Sequence, residues 1–268
     1  MRRRKLLWGL VAAAVVVLIL ALDNRLAVRE YRIETDKLTA PIRIAVISDL
    51  HSCGYGENQR ELLDAVAAEE PDLVLLPGDI VDDVLPEENA WVVLETLAEN
   101  WPCCYVTGNH EWWSGEAERI CREIEALGIY VLRGESVDIA VKGQTLTVFG
   151  IDDPDSGEDQ LSRLFEVPAE GYAILLAHRP ERIESYLSYP FDLIVSGHAH
   201  GGQWRLPGLI NGLYAPNQGL FPAYAGGRYD FGEQVFLVSR GLARESTRIP
   251  RIFNPPELVV AELTPLSA

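Results

Sequence analysis

The chain has 268 residues, 48% of them hydrophobic and 24% charged, with four cysteines and a formal net charge of −17. At roughly 100–200 residues per domain this allows one large domain or two small ones, and it excludes both a disordered chain and a disulfide scaffold. A body this acidic repels polyphosphate backbones, so no nucleic-acid polymer is expected as a partner.

In chain order, four cations (Arg2, Arg3, Arg4, Lys5) precede an uncharged, almost wholly aliphatic run over residues 6–22. A run of that length sits at the short edge of a bilayer-crossing helix and slightly beyond a signal-peptide core. Residues 1–22 are therefore read as an N-terminal membrane anchor or signal segment. The absence of a clean Ala-x-Ala site favours retention, and the positive-inside bias sends the body across, to the extracytoplasmic side. The cytoplasmic face of the membrane is the alternative. Residues 23–41 read as a polar connector, and residues 42–268 as one domain. No obligate protein partner is evident.

Residues 42–47 form a short β-branched run that reads as a buried strand. An amphipathic helix follows at 57–69, then strand 73–76 halted by Pro77-Gly78. Helical patterns at 87–99 and 115–127 bracket strand 104–106. Further apolar runs fall at 129–132, 145–149, 172–177, 193–195, 235–238 and 258–263. Strand–helix alternation of this kind predicts an α/β domain with largely parallel strands, whose ligands collect at the strands' carboxyl ends.

Those ends carry the chemistry. Asp49-Leu50-His51 follows the first strand, Gly78-Asp79-Ile80-Val81-Asp82 the second, and Gly108-Asn109-His110-Glu111 the third. His178 ends run 172–177, and Gly197-His198-Ala199-His200 follows run 193–195, which accounts for all five histidines. Singly, each element reads as a turn, a cap or a surface pair; structural histidines, however, would be scattered over helices and loops. Carboxylate, imidazole and amide donors without a thiolate suit two divalent metal ions of the Mn, Fe or Zn type. A central carboxylate can bridge two such ions about 3.5–4 Å apart.

These five elements, in this order, resemble the calcineurin-like metallophosphoesterases. Gly197-His198-Ala199-His200-Gly201-Gly202-Gln203, Arg205-Leu206-Pro207-Gly208, Ser239-Arg240-Gly241-Leu242 and Asn254-Pro255-Pro256-Glu257 resemble a bacterial, membrane-anchored phosphodiesterase branch of that family. The resemblance implies an α/β/β/α sandwich with a dinuclear metal site at the strand C-terminal ends. Asp49, His51 and His200 would hold one ion, Asn109, His178 and His198 the other, with Asp79 between them. His110 would protonate the leaving oxygen and Asp82 would orient its ring. The implied activity is phosphodiester or pyrophosphate hydrolysis by a metal-bridging hydroxide, on a lipid-linked, nucleotide or cell-envelope substrate near the membrane. A phosphomonoesterase or phosphoprotein phosphatase using the same centre is the alternative.

Several residues outside the motifs carry expectations of their own. Arg179 and Arg205 are candidates for contacts to substrate phosphate. Trp112 and Trp113 either form an apolar wall or pack beneath their loop. Arg240, Arg244, Arg248 and Arg251 read as a solvated face, the alternative being a hold on a second phosphate or on anionic headgroups. Adjacent Cys103 and Cys104 should point to opposite faces of their strand. Gly78, Gly108 and Gly197 are expected to let the backbone turn sharply from strand into site.

Overall fold

The computed structural model describes residues 2–164, 168–169, 171–244 and 249–266. The first strands and helices in chain order are α1 (Arg2–Ala21), β1 (Ala27–Thr35), β2 (Ile42–Val46), α2 (Arg60–Ala68), β3 (Leu73–Pro77), α3 (Glu88–Asn100) and β4 (Cys103–Val106). They continue with α4 (Asn109–Trp113), α5 (Ala117–Ala126), β5 (Tyr130–Val131), β6 (Glu135–Val141) and β7 (Gln144–Ile151). After α6 (Leu161–Leu164) come β8 (Tyr172–Ala177), α7 (Ile183–Tyr186) and β9 (Leu193–Ser196). A small hairpin, β10 (Tyr214–Ala215) and β11 (Gly219–Leu220), precedes β12 (Gly227–Phe231), β13 (Gln234–Val238) and β14 (Glu257–Pro265).

Two six-stranded sheets result, in the orders β1-β14-β2-β3-β4-β5 and β12-β13-β9-β8-β7-β6. The pairs β2–β3, β3–β4 and β4–β5 are parallel, as are β7–β8, β8–β9 and β9–β13. Successive side chains on a strand face opposite ways, and here both faces are apolar. Ile44, Val46, Leu73, Leu75, Cys104 and Val106 therefore meet Leu146, Val148, Ile174, Leu176, Leu193 and Val195 between the sheets. Ala45, Ile47, Val74, Leu76, Cys103 and Tyr105 point outward onto Leu62, Val66, Val93, Leu97, Ile120 and Ile124 of α2, α3 and α5. On the other sheet Phe149, Leu175, Ile194 and Phe236 are covered by Ile183 and Tyr186. The layers are thus α/β/β/α. Each large aliphatic side chain so buried contributes about 1.5–3 kcal/mol. Cys103 and Cys104 divide between the two cores, as alternation requires.

The connector expectation needs correction for residues 27–35. They form edge strand β1, parallel to β14 in register Ala27↔Glu257 through Thr35↔Pro265. Only Ile33 is buried and Tyr31 partly so, while Arg29, Glu30 and Arg32 face water. An edge strand buries little and bears charges, so its composition imitates a linker. Strands β6 and β12, the two edges of the second sheet, likewise lack a continuous apolar run.

Helix α1 is long and apolar enough to cross a membrane by length and composition, and only 6% of its apolar stretch is buried. The arginine reading is also corrected. Arg251 is buried and donates to the carbonyls of Ala243, Arg240 and Gly241. Arg240 pairs with buried Glu257 at 3.0 Å, and Arg244 pairs with Glu61 while stacking on Tyr55. Arg248 lies outside the described residues.

Candidate metal centre

The carboxyl ends of the two sheets open on one side, and the seam between them gathers the motif residues. The first sheet supplies Asp49 and His51 after β2, Asp79 after β3 and Asn109 after β4; the second supplies His178 after β8, with His198 and His200 after β9. Asp49 N donates to Gly78 O (3.1 Å), His51 N to Asp79 O (2.9 Å) and Gly197 N to His178 O (3.1 Å), so neighbouring strand ends hold one another.

Five of these residues adopt left-handed backbone: Asp49 (φ 49°), His51 (48°), Asp79 (52°), His198 (64°) and His200 (46°). Such conformations are uncommon outside glycine and cost free energy, so a cluster of five marks a site whose side-chain directions matter more than local comfort. Gly78 takes φ 87° at its turn. Gly197 is required by close approach instead, because a Cβ there would collide with Ser48 Oγ and lie 2.5 Å from Asp49 Oδ2. Gly108 is extended rather than turned; a side chain there would strike Asp79.

Two donor groups converge within 4.8 Å: Asp49, His51, Asp79 and His200, and Asp79, His178 and His198. Asp79 belongs to both. His178 Nε2 is 3.1 Å and His51 Nε2 3.6 Å from Asp79 Oδ2, while His200 Nε2 is 3.7 Å from Asp49 Oδ1. Asn109 directly precedes His110, whose N donates to Asp79 Oδ1 at 2.8 Å. All seven side chains are buried. His51 Nε2, Asp79 Oδ2, Asn109 Oδ1 and His200 Nδ1 have no hydrogen-bond partner. Orphaned buried polar atoms are costly; His51 Nε2 facing Asp79 Oδ2 at 3.6 Å, with unpartnered atoms of Asn109 and His200 on neighbouring strand ends, fits cations as the missing partners.

Three imidazoles are held from behind by the nitrogen facing away from the cluster. His51 Nδ1 meets Asp82 Oδ1 (2.9 Å), His178 Nδ1 meets Pro77 O (2.7 Å) and His198 Nε2 meets Asn217 Oδ1 (2.8 Å). This back-bonding fixes the tautomer of a ligating histidine and leaves its other nitrogen directed inward.

Electrostatics carry the same message. Burial pulls His178 down, but Asp79 outweighs it and raises the imidazole to about 10. Burial pushes Asp79 up, yet His178 and His51 hold it well below the ordinary carboxylate range. Burial, assisted by His178 and Arg179, drops His198 to about 3, and burial with His51 lowers His200. Protons on some imidazoles thus offset the carboxylates, and divalent ions would displace those protons on binding.

His110 lies at the rim, half-buried, with Nδ1 3.0 Å from Asp82 Oδ1 and 2.7 Å from Asp83 Oδ1. Burial lowers its pKa, but the hydrogen bond to Asp82 and the charges of Asp79, Asp82 and Asp83 raise it to about 9. His51, Asp82 and His110 also lie within reach of one another. Both Nδ1 atoms are engaged on Asp82, however, so the trio is a hydrogen-bonded relay rather than a third ion site. Exposed Trp113 lies beside His110, ring centroids 4.8 Å apart and tilted by 45°, whereas Trp112 packs inward and donates to Thr107 Oγ1.

Sequence reasoning missed three supporting residues. Glu111, fully buried, accepts from the backbone N–H of Asp79 (3.1 Å), Ile80 (2.8 Å), Val81 (3.1 Å) and Gly108 (2.8 Å), tying two site loops together. Asp83 shares His110 with Asp82, and Asn217 comes from a loop without any motif. Glu111 stood inside a quoted motif; nothing local distinguishes Asn217. Of the two arginines, Arg179 reaches the cluster, 3.1 Å from His198 Nε2, but is bound by Asp153 (2.5 and 2.9 Å) and Asn217 (2.7 Å). Arg205 turns toward Asn211 and Arg240 instead.

Residues 42–202 match the family model of the calcineurin-like phosphoesterases. The chain is 31% identical over 254 residues to an uncharacterized metallophosphoesterase of Aquifex aeolicus, covering 89% of this chain and 92% of that one. It is 31% identical over 239 residues to phosphodiesterase YaeI of Escherichia coli, covering 84% and 83%. A 5'-nucleotidase precursor from Thermus thermophilus has the same fold, with TM-score 0.52, 13% identity and coverage of 84% of this chain and 54% of that longer one. By sequence match and architecture together, the chain belongs to the calcineurin-like metallophosphoesterases and is a hydrolase of phosphate esters.

Proposed function

We propose that the chain is a phosphodiesterase anchored by α1, acting on a lipid-linked, nucleotide or cell-envelope diester or pyrophosphate on the extracytoplasmic side. Asp49, His51 and His200 would hold one divalent ion, and Asn109, His178 and His198 the other, with Asp79 shared. The observation that carries this reading is the convergence of two donor groups that share Asp79, each within 4.8 Å, with His110 next to it. Two divalent ions there would supply an activated water and neutralise charge gathering on the phosphoryl oxygens.

The remaining chemistry belongs to the chain. His110 carries its transferable proton on Nε2, because Nδ1 is engaged by Asp82 and Asp83. From there it protonates the departing oxygen, with Asp82 fixing the ring plane. Trp113 shields one side of that ring from water. Arg179 sets the position of His198 through Asn217. Arg205, bound to Asn211, would serve only a more distant phosphate of the substrate.

Charge supports a diester over a monoester. The cation nearest the cluster, Arg179, is already neutralised by Asp153. A diester brings one negative charge to this acid-rich rim and a monoester about two near neutral pH. Turnover of bis(p-nitrophenyl) phosphate against p-nitrophenyl phosphate by the Mn-loaded protein tests the reading. Diester preference is expected; dominance of the monoester would replace it with the phosphomonoesterase alternative.

A further inference from the structure

Between the metal-centre motif and β12 the chain makes an excursion whose large apolar side chains face outward. Trp204, Leu206, Leu209, Tyr214, Leu220 and Phe221 are all exposed, Leu209 by 81%, Leu220 by 68% and Phe221 by 64%. Burying such side chains is worth about 1.5–3 kcal/mol each, so six of them exposed between residues 204 and 221 imply a surface that is covered in use.

Two features identify the cover. The first is where α1 ends. Three consecutive residues join the loop, the helix and the site: Ile252 pairs with the loop (Arg205 N to Ile252 O, 2.9 Å), Phe253 N donates to Ala21 O at the end of α1 (2.7 Å), and Asn254 Nδ2 donates to the carbonyl of His200 (2.7 Å). A membrane crossed by α1 therefore begins beside this loop. The second feature is charge. Residues 193–229 contain no Asp or Glu, although the chain has 40 in 268 and its average density would place five or six there. Acids are missing where an anionic lipid surface would repel them, and the two charged residues in the stretch are Arg205 and Arg228.

We propose that the loop over residues 204–221 is immersed in the interfacial layer of the bilayer that α1 crosses, so that the metal centre opens at the membrane surface. Interfacial elements of this kind bury their apolar faces about 5–10 Å into the headgroup and acyl boundary. His200 and the loop are joined through Asn254 and Gln203, whose carbonyl accepts from both Asn254 Nδ2 (3.2 Å) and Ile252 N (3.1 Å). Seating the loop therefore seats the site, and a phosphodiester carried by a lipid reaches it without leaving the bilayer. The inference rests on α1 being a membrane anchor, as proposed above.

Spin labels on the full-length chain test it, in phosphatidylcholine vesicles containing about a quarter phosphatidylglycerol. All four native cysteines are buried, so introduced thiols label selectively. Labels go on Leu209→Cys in the loop, Leu10→Cys within α1, and Glu99→Cys at the end of α3, the edge of the sheet remote from the site. Accessibility to oxygen, which concentrates in lipid, is compared with that to a water-soluble nickel chelate. The oxygen-to-nickel ratio at Leu209 is expected to exceed that at Glu99 several-fold and to approach that at Leu10. A Leu209 ratio equal to that at Glu99, with Leu10 in lipid, overturns the loop proposal and leaves the anchor standing. Shielding of Leu209 from both agents means a protein cover, such as a second copy, and also overturns it. Water exposure at Leu10 removes the anchor and this inference together.

Discussion

Replacing Glu111 by alanine takes one acceptor away from four backbone N–H groups at once. The donors are Asp79, Ile80, Val81 and Gly108, all of them in buried turns at the strand ends. A buried donor stripped of its acceptor costs about 1–3 kcal/mol, and water entering the vacated space recovers part of that. We expect a net loss of about 3–5 kcal/mol, below four full penalties because the turns can relax. At about 2–4 °C per kcal/mol in a chain of this size, Tm should fall by about 6–20 °C. The same turns carry Asp79 and Asn109, so bound metal should fall too. Glu111→Gln keeps the volume but turns an NH2 toward two of the donors; it should lose most of the same stability, which separates charge and acceptor loss from cavity formation. Scanning calorimetry of the detergent-solubilised chain and elemental analysis of bound metal make the measurement. A Tm shift under about 2 °C with full metal content would refute the argument that one carboxylate holds the two turns together.

The proton-donor and ion-holding roles separate by mutation. His110→Ala should retain metal and lose turnover by about 10²–10⁴-fold, as for a missing general acid, whereas Asp79→Ala should lose metal itself; equal metal loss in both would contradict the assignment. Gly197→Ala drives a methyl into Ser48 Oγ and toward Asp49 Oδ2. It should therefore lower metal content and turnover, while Gly54→Ala, whose added methyl would meet Asn89 at an ordinary 3.8 Å, should do neither. Wild-type metal stoichiometry in Gly197→Ala would show that the close approach has no bearing on the site.

Order and residue type along the chain determined a good deal by themselves. The alternation of β-branched runs with amphipathic segments predicted the parallel strands, because strands buried on both faces read as continuous apolar runs. All five histidines fell at strand ends because parallel strands deliver their carboxyl termini to one edge, where ligands gather. Only the tertiary structure decided three other matters. The pairing of residues 27–35 with β14 across the length of the chain was invisible, since an edge strand keeps its charges in water and so resembles a connector. The burial of Arg251 depended on three carbonyls that face one point only after folding. Asn217 met His198 although nothing in its neighbourhood marks it, and Arg179, beside a motif histidine, turned to His198 and Asp153. Local pattern specifies which face of an element turns inward; contacts between side chains far apart in sequence depend on how two sheets close on each other, and no window of the chain contains that information.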